Sequence, residues 1–273
     1  MFKVISLLFL GYSSIAYSNN FSCPDGKTYP VSLTFDDGPA GAKTNKVMDI
    51  LKKKKIKGTF FVLGERFETE NQKKSNYAIL DRMKEEGHLI GSHTYHHIAH
   101  TKVESEEAFA NIDKANNVFK NYMAPIIRLP YGDGSFESSN PIQNEKNEKI
   151  MNYINSKELT HIGWSIDTND WDAKKRPFIL ESMMKQICQF HGGVILFHDV
   201  QKNTVDHLEE WITEIEKAGH KIEPLDFFYN NLQIKLPKKE EADGMSVCAP
   251  NLIKRNVIHK LSSDVEKINA KIK

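Results

Sequence analysis

The sequence predicts an α/β fold, a distorted (β/α) barrel of about seven parallel strands followed by a C-terminal amphipathic helix. Three observations carry this. Short apolar runs alternate with amphipathic stretches of helical length from residue 31 to residue 225, and the two periodicities, near 2 and near 3.6, separate strand from helix. Strands spaced by such helices pair in parallel. No shift in composition interrupts the ladder, which favours a barrel or near-barrel over an open sheet. The alternative, an open doubly wound sheet, would want a glycine-rich phosphate turn after the first run, and none is there.

The first strand is expected over Val31 to Asp37, where Val31, Leu33 and Phe35 alternate before Asp36-Asp37-Gly38-Pro39 turns the chain. An amphipathic segment at 43–56 leads to a second run, Gly58 to Leu63, and one at 74–86 to a third, Leu89 to His93. The stretch 104–122 precedes Ile126 to Tyr131, and 141–157 precedes Thr160 to Asp167, read as one strand. A helix at 177–190 and the run Gly193 to His198 follow, and a helix at 204–218 leads to the closing strand, Lys221 to Leu225.

Both ends of the chain read differently from the barrel at 19–236. Residues 1–18 resemble an export signal: Lys3, a short apolar core from Val4 to Leu10, and Ala16-Tyr17-Ser18 as a small-x-small cleavage site. The apolar core is far shorter than the roughly 20 residues of a spanning helix, so secretion is expected rather than a membrane anchor. Residues 237–273 are expected as a charged linker, 237–247, and an amphipathic helix in which Leu252, Val257, Leu261, Val265, Ile268 and Ile272 recur among Lys and Arg.

Thirty-seven basic residues face 36 acidic ones, and Lys3 lies in the leader, so the mature chain is formally neutral. It carries no broad electrostatic footprint for nucleic acid or anionic lipid, and it is expected to act as a monomer outside the cell or at the wall. Three cysteines remain. In an oxidising compartment Cys23 and Cys248 would tie the chain ends together, leaving Cys188 a buried thiol; a Cys/His metal site competes, but no C-x-x-C pair exists.

Reactive residues gather where strands end. Two adjacent carboxylates, Asp36 and Asp37, cost free energy unless a cation, an arginine or a shared proton relieves them, and metal hydrolases use such a pair to separate a ligand from a base. His93 and His97 would project from one side if the chain turns helically, as two metal ligands require, although His96 and His100 leave the choice of partners open. Arg128 could pair with whichever acid the metal leaves free. Trp164 to Trp171 sets Asp167 and Asp170 among indoles, and His198 ends a buried run. In a barrel all these ends open on one face.

Five motifs now stand in order: TFDDGP at 34–39, H-T-x-x-H at 93–97, R-x-P-Y-G at 128–132, D-x-x-D-W at 167–171 and L-x-H at 196–198. In these the chain resembles the polysaccharide deacetylases of carbohydrate esterase family four, the NodB-homology proteins, over roughly residues 30–228, and Asp-Thr-Asn-Asp-Trp is most similar to the chitin deacetylase branch. Two departures stand out: Leu129 where many members carry proline, and the extra imidazoles His96 and His100.

The resemblance implies one divalent metal, zinc first, with cobalt or manganese as substitutes, held by Asp37, His93 and His97. It implies Asp36 as general base oriented by Arg128, and His198 as general acid tuned by Asp170. Tyr131 would offer its backbone N–H to the oxyanion, while Trp171 and Leu196, supported by Trp164, would wall the acetyl methyl. The expected reaction is removal of N-acetyl groups from N-acetylglucosamine polymers, chitin or a chitin-like wall polysaccharide, with release of acetate. Rival readings are a peptidoglycan N-deacetylase, an O-acetyl-xylan esterase and an inactive wall-associated relative. A redox metal enzyme fits less well, because an Asp-His-His ligand set is hydrolytic in character.

Overall fold

The computed structural model describes residues 21–135 and 140–231. The expected leader at 1–18, the linker at 237–247 and the helix beyond it lie outside the described residues. Eight strands form one parallel sheet: β1 Pro30–Asp36, β2 Thr59–Val62, β3 Leu89–Ser92, β4 Ile126–Ile127, β5 Thr160–His161, β6 Ile166–Asp167, β7 Gly193–His198 and β8 Lys221–Ile222. The helices between them are α1 Ala42–Lys54, α2 Glu70–Glu85, α3 Ser105–Phe119, α4 Pro141–Ser156, α5 Ile179–Gln189 and α6 Lys202–Lys217, with a short α7, Leu225–Asn231, after β8. None is long and apolar enough to cross a membrane.

The strand order is β5-β4-β3-β2-β1-β7-β6, a sheet curled towards a barrel with β1 at its centre. β1 is buried on both faces, and its period of two sorts the chemistry. Val31, Leu33 and Phe35 face the helical layer, where Phe35 stacks on Phe60 and Phe197 and Phe197 stacks on Trp211 of α6. Thr34 and Asp36 face the other way and meet Arg128 inside the curl. The side of the sheet facing the helices is thus apolar, and its concave side carries a buried polar cluster.

Three expectations need correction. The run 160–167 is two short strands at opposite ends of the sheet, and the chain crosses the open seam between them. The carbonyls that a neighbouring strand would have used, those of Ile162 and Gly163, accept instead from Arg128 Nε and NH2, both at 2.9 Å. β8 does not close a barrel. β7 occupies one edge of β1 from Val31 to Asp36, and β2 takes the other from Thr34 onward, so β8 finds room only at Pro30 and Val31. Finally, Cys23 is bonded to Cys188, at an S–S distance of 2.05 Å, in place of the expected pairing with Cys248, which lies outside the described residues. α5 runs back to the start of β7, the neighbour of β1, so its last turn carries Cys188 to the segment that leads into β1. The Cys/His metal reading falls with it: both thiols are oxidised, and His220 Nδ1 accepts from the Tyr29 N–H at 3.0 Å.

Candidate active site and metal centre

The C-terminal ends of β1, β3, β4, β6 and β7 open on one face and bring the reactive residues together. Asp37 follows β1; its Oδ1 lies 3.4 Å from His93 Nε2 and 3.5 Å from His97 Nε2. One ligand atom from each of the three lies within 4.8 Å of the others. The imidazoles do not come from a helical turn: the segment bends, with Thr94 at φ 70°, and the rings meet at a centroid distance of 5.2 Å. His93 Nδ1 donates to the Arg128 carbonyl at 2.8 Å, which fixes the proton there and leaves the Nε2 lone pair facing Asp37. Burial pushes His93 down to about 3 against the pull of Asp37, so the ring is neutral, the form that ligates. Asp37 Oδ1 is buried without a hydrogen-bond donor. A buried acceptor flanked by two imidazole nitrogens suits a divalent cation with nitrogen and oxygen ligands.

Asp36 is held apart from the trio. Arg128 NH1 donates to Asp36 Oδ1 at 2.8 Å and to Thr34 Oγ1 at 2.8 Å, while its other nitrogens bond Ile162 and Gly163. Arg128 heads the fully buried side chains by volume, and Phe61 packs over its guanidinium at 4.2 Å. Burial raises the Asp36 pKa in spite of the Arg128 charge, which moves a carboxylate towards the range of a working base. Asp36 Oδ2 remains 3.8 Å from His93 Nε2, close to the trio without belonging to it.

His198 ends β7 directly opposite Asp36 in the β1–β7 register. Its Nδ1 lies 2.6 Å from Asp170 Oδ1, its backbone N–H donates to Asp170 Oδ2 at 2.8 Å, and Thr204 also donates to Oδ2. Burial disfavours charge on His198, but the hydrogen bond and charge of Asp170, with Asp36 and Asp37 beyond, outweigh it and raise the ring to about 9. The ring is therefore held in its charged form. In metal-free protein, a group raised in this way contributes stability that is complete below its unfolded value near 6.5 and is lost as pH rises through about 9. Urea titrations of chelated protein should show that decline between pH 6.5 and 9, and Asp170→Asn should flatten it.

The other site residues line the same face. Tyr131 stands at φ 58° with its ring 4.6 Å from that of His97, and among the described residues no hydrogen bond uses its backbone N–H. Leu196 is buried on β7 two residues before His198, and Trp171 follows Asp170 and is exposed. Trp164 packs 5.6 Å from the Arg128 guanidinium and donates to Asp167 at 3.3 Å. The extra imidazoles stay out of the trio: His96 pairs with Glu65 at 3.0 Å, and His100 is wholly buried. Backbone strain concentrates here as well. Of the non-glycine residues with positive φ, Asp37, Thr94, Tyr131 and Asn169 follow β1, β3, β4 and β6, while Lys55, Glu158 and His191 end helices. The last three are ordinary left-handed caps; the first four need their surroundings to hold them.

Sequence reasoning missed Thr34, Thr204, Asp199 and the carbonyls of 162 and 163. Thr34 stands inside the TFDDGP motif, two residues from Asp36 on the same strand face, and that spacing could have flagged it. Asp199 packs its carboxyl where a Cβ on Gly38 would come within 2.4 Å, so a larger residue at 38 would have to displace that buried carboxyl; nothing local in the sequence announces this.

A sequence profile described as polysaccharide deacetylase matches residues 24–148. The chain is 31% identical over 229 residues to peptidoglycan-N-acetylglucosamine deacetylase PgdA of Listeria monocytogenes, covering 82% of this chain but only 44% of that protein. It is 33% identical over 210 residues to a peptidoglycan-N-acetylglucosamine deacetylase of Bacillus cereus, covering 74% of this chain and 69% of that one. Chitin deacetylase of Arthroderma benhamiae is 32% identical over 202 residues, 69% of this chain and 48% of its own. Among solved structures, the Bc1960 peptidoglycan N-acetylglucosamine deacetylase superposes with a TM-score of 0.59 at 29% identity, covering 80% of this chain and 94% of that one.

Proposed function

Because this chain belongs to the polysaccharide deacetylase family, we propose that it hydrolyses N-acetyl groups on the N-acetylglucosamine units of an extracellular wall polysaccharide, releasing acetate. Asp37, His93 and His97 would hold one divalent metal, zinc in the first instance, which supplies Lewis acidity and an acidified water when bound. Asp36, kept out of the ligand set by Arg128, takes the proton from the attacking water. The Tyr131 N–H donates to the oxygen on which charge develops. His198, charged and braced by Asp170, gives its proton to the departing amine, without which an amide leaves poorly. Leu196 and Trp171, with Trp164 behind them, flank the acetyl methyl. The observation that carries this reading is the division of the acid pair: one carboxylate faces two imidazoles, and the other faces a buried guanidinium.

An extended polymer suits the surface around the site. Tyr131, Ile142, Trp171 and Phe178 are the exposed large hydrophobic residues among those described, at 68%, 67%, 56% and 60%. All four follow the C-terminal ends of β4 or β6, on the face of the site and on either side of the open seam. Aromatic and aliphatic side chains there would stack on the C–H faces of successive sugars. Phe178→Ala is expected to raise KM severalfold on long oligomers and to leave a disaccharide unchanged. An equal effect on both lengths would place Phe178 outside the polymer track.

The peptidoglycan deacetylases named above favour peptidoglycan as the polymer, while Asp-Thr-Asn-Asp-Trp and the Arthroderma benhamiae relative keep chitin in play. Both present N-acetylglucosamine, and the loops beyond the site would choose between them. Acetate release from peptidoglycan, chitin oligomers and acetylxylan, each with added zinc and with chelator, tests the proposal. Release from none of them with a zinc-loaded protein rejects it, and release from xylan alone reassigns it as an esterase. The leader at 1–18 would export the enzyme to that wall, where it would act as a monomer. His198→Ala should keep zinc and lower amide turnover by about 10² to 10⁴, with a smaller loss on an activated ester whose leaving group needs no proton; equal losses on both would remove His198 from the acid role.

A further inference from the structure

Among the described residues no hydrogen bond or ring contact joins His161 to Asp37, His93, His97 or His198, and no role in the reaction follows from any motif. It lies buried on β5, paired in register with Ile127 at the end of β4. Beyond Ile127 the chain makes the tight turn 129–134 with Tyr131 near its apex. We propose that His161 is a positioning residue that fixes the Tyr131 N–H as an oxyanion donor by bridging the two ends of that turn, Leu129 and Asp133.

The bonding has a definite direction. The Leu129 N–H donates to His161 Nε2 at 3.3 Å, so in the neutral ring the proton sits on Nδ1, and an attraction to the Asp133 backbone acts on the same ring. Burial keeps the imidazole neutral, as this pairing demands. One rigid ring is thus bonded at Leu129 and lies against the far end of the turn. Gly134 approaches the ring to where its Cβ would lie 3.4 Å away. On its far side Asp133 accepts from the Thr101 N–H at 3.0 Å and from the Thr101 hydroxyl at 2.9 Å, tying the turn to the segment that carries His93 and His97.

The turn needs such a brace because of its backbone. Tyr131, Gly132 and Gly134 stand at φ 58°, 76° and 78°. Glycine adopts these angles freely, whereas a bulky residue there is strained and holds its place only when its surroundings over-determine it. With the span released, Tyr131 would relax to negative φ and turn its N–H away from the site.

The proposal rests on the deacetylase reading, and its test separates the two. His161→Phe, which fills the same space without either bond, is expected to keep zinc and fold while kcat falls about 10²-fold, the order of one lost oxyanion donor, and KM stays within about twofold. His161→Gln, whose amide can accept from Leu129 and donate to Asp133, should recover most of that loss. A zinc-loaded His161→Phe with undiminished kcat, or a loss confined to KM, overturns the brace. If His161→Phe fails to fold, His161→Asn, which reaches one backbone group at most, takes its place with the same expectation. Should wild-type protein release no acetate at all, the deacetylase reading falls, and crystal structures of the same variants still decide the brace: Tyr131 must leave positive φ in His161→Phe and keep it in His161→Gln.

Discussion

Arg128→Met is expected to destabilise the protein by about 3 to 5 kcal/mol, the cost of stripping the partner from a buried charge. The guanidinium satisfies four acceptors that no other group reaches in the same way: Asp36 Oδ1, Thr34 Oγ1 and the carbonyls of Ile162 and Gly163. A methionine of similar length fills part of the volume but leaves the seam between β5 and β6 without donors. The pH dependence has a definite sign. Asp36 already titrates high through burial, and losing Arg128 raises it further, so the variant takes up a proton on Asp36. A carboxyl raised in the folded state is favoured below its unfolded pKa and penalised as pH climbs through the folded value. Urea unfolding should therefore show a larger deficit at pH 8 than at pH 5, and adding Asp36→Leu should recover part of the loss at pH 8. A deficit under 1 kcal/mol at both pH values would mean that the seam is closed by something other than Arg128.

That seam also marks the limit of what the sequence discloses. The βα alternation was legible because β1, β2, β3 and β7 are apolar runs long enough to show a period, and each strand end announced itself by a charged or aromatic residue before a turn. The run 160–167 misled because apolar content alone does not separate one strand from two. The chain leaves the sheet at Ile162 and re-enters at Ile166, and the cause is a side chain 34 residues earlier in sequence, bonding Ile162 O. The closing strand misled for a related reason, since which edge of β1 stays open depends on the lengths of β2 and β7 rather than on residues 221–225. The cysteine pairing turned on where α5 ends in space. Within the site, the residue types and their order were readable from the five motifs. The partners that hold them, Thr34, Thr204, His161 and Asp133, contribute one or two hydrogen bonds each across long sequence gaps, and such contacts leave no local pattern.

Asp36→Asn is expected to bind zinc as the wild type does and to lose turnover by about 10² to 10⁴, the usual contribution of a positioned base. The substitution is nearly isosteric, and the Asn carbonyl can still accept from Arg128 NH1, so the fold and the seam survive. What disappears is a carboxylate that burial has pushed up towards proton-accepting range and that sits 3.8 Å from His93 Nε2, beside the ligand trio rather than in it. Asp37→Asn serves as the opposite control. Its Oδ1 is the acceptor facing both imidazoles, so that variant should lose zinc and activity together. Metal stoichiometry after dialysis, read beside acetate release, separates the two. Zinc lost from Asp36→Asn and kept by Asp37→Asn would invert the assignment of the pair, and full turnover in Asp36→Asn would show that the proton leaves the attacking water by another route.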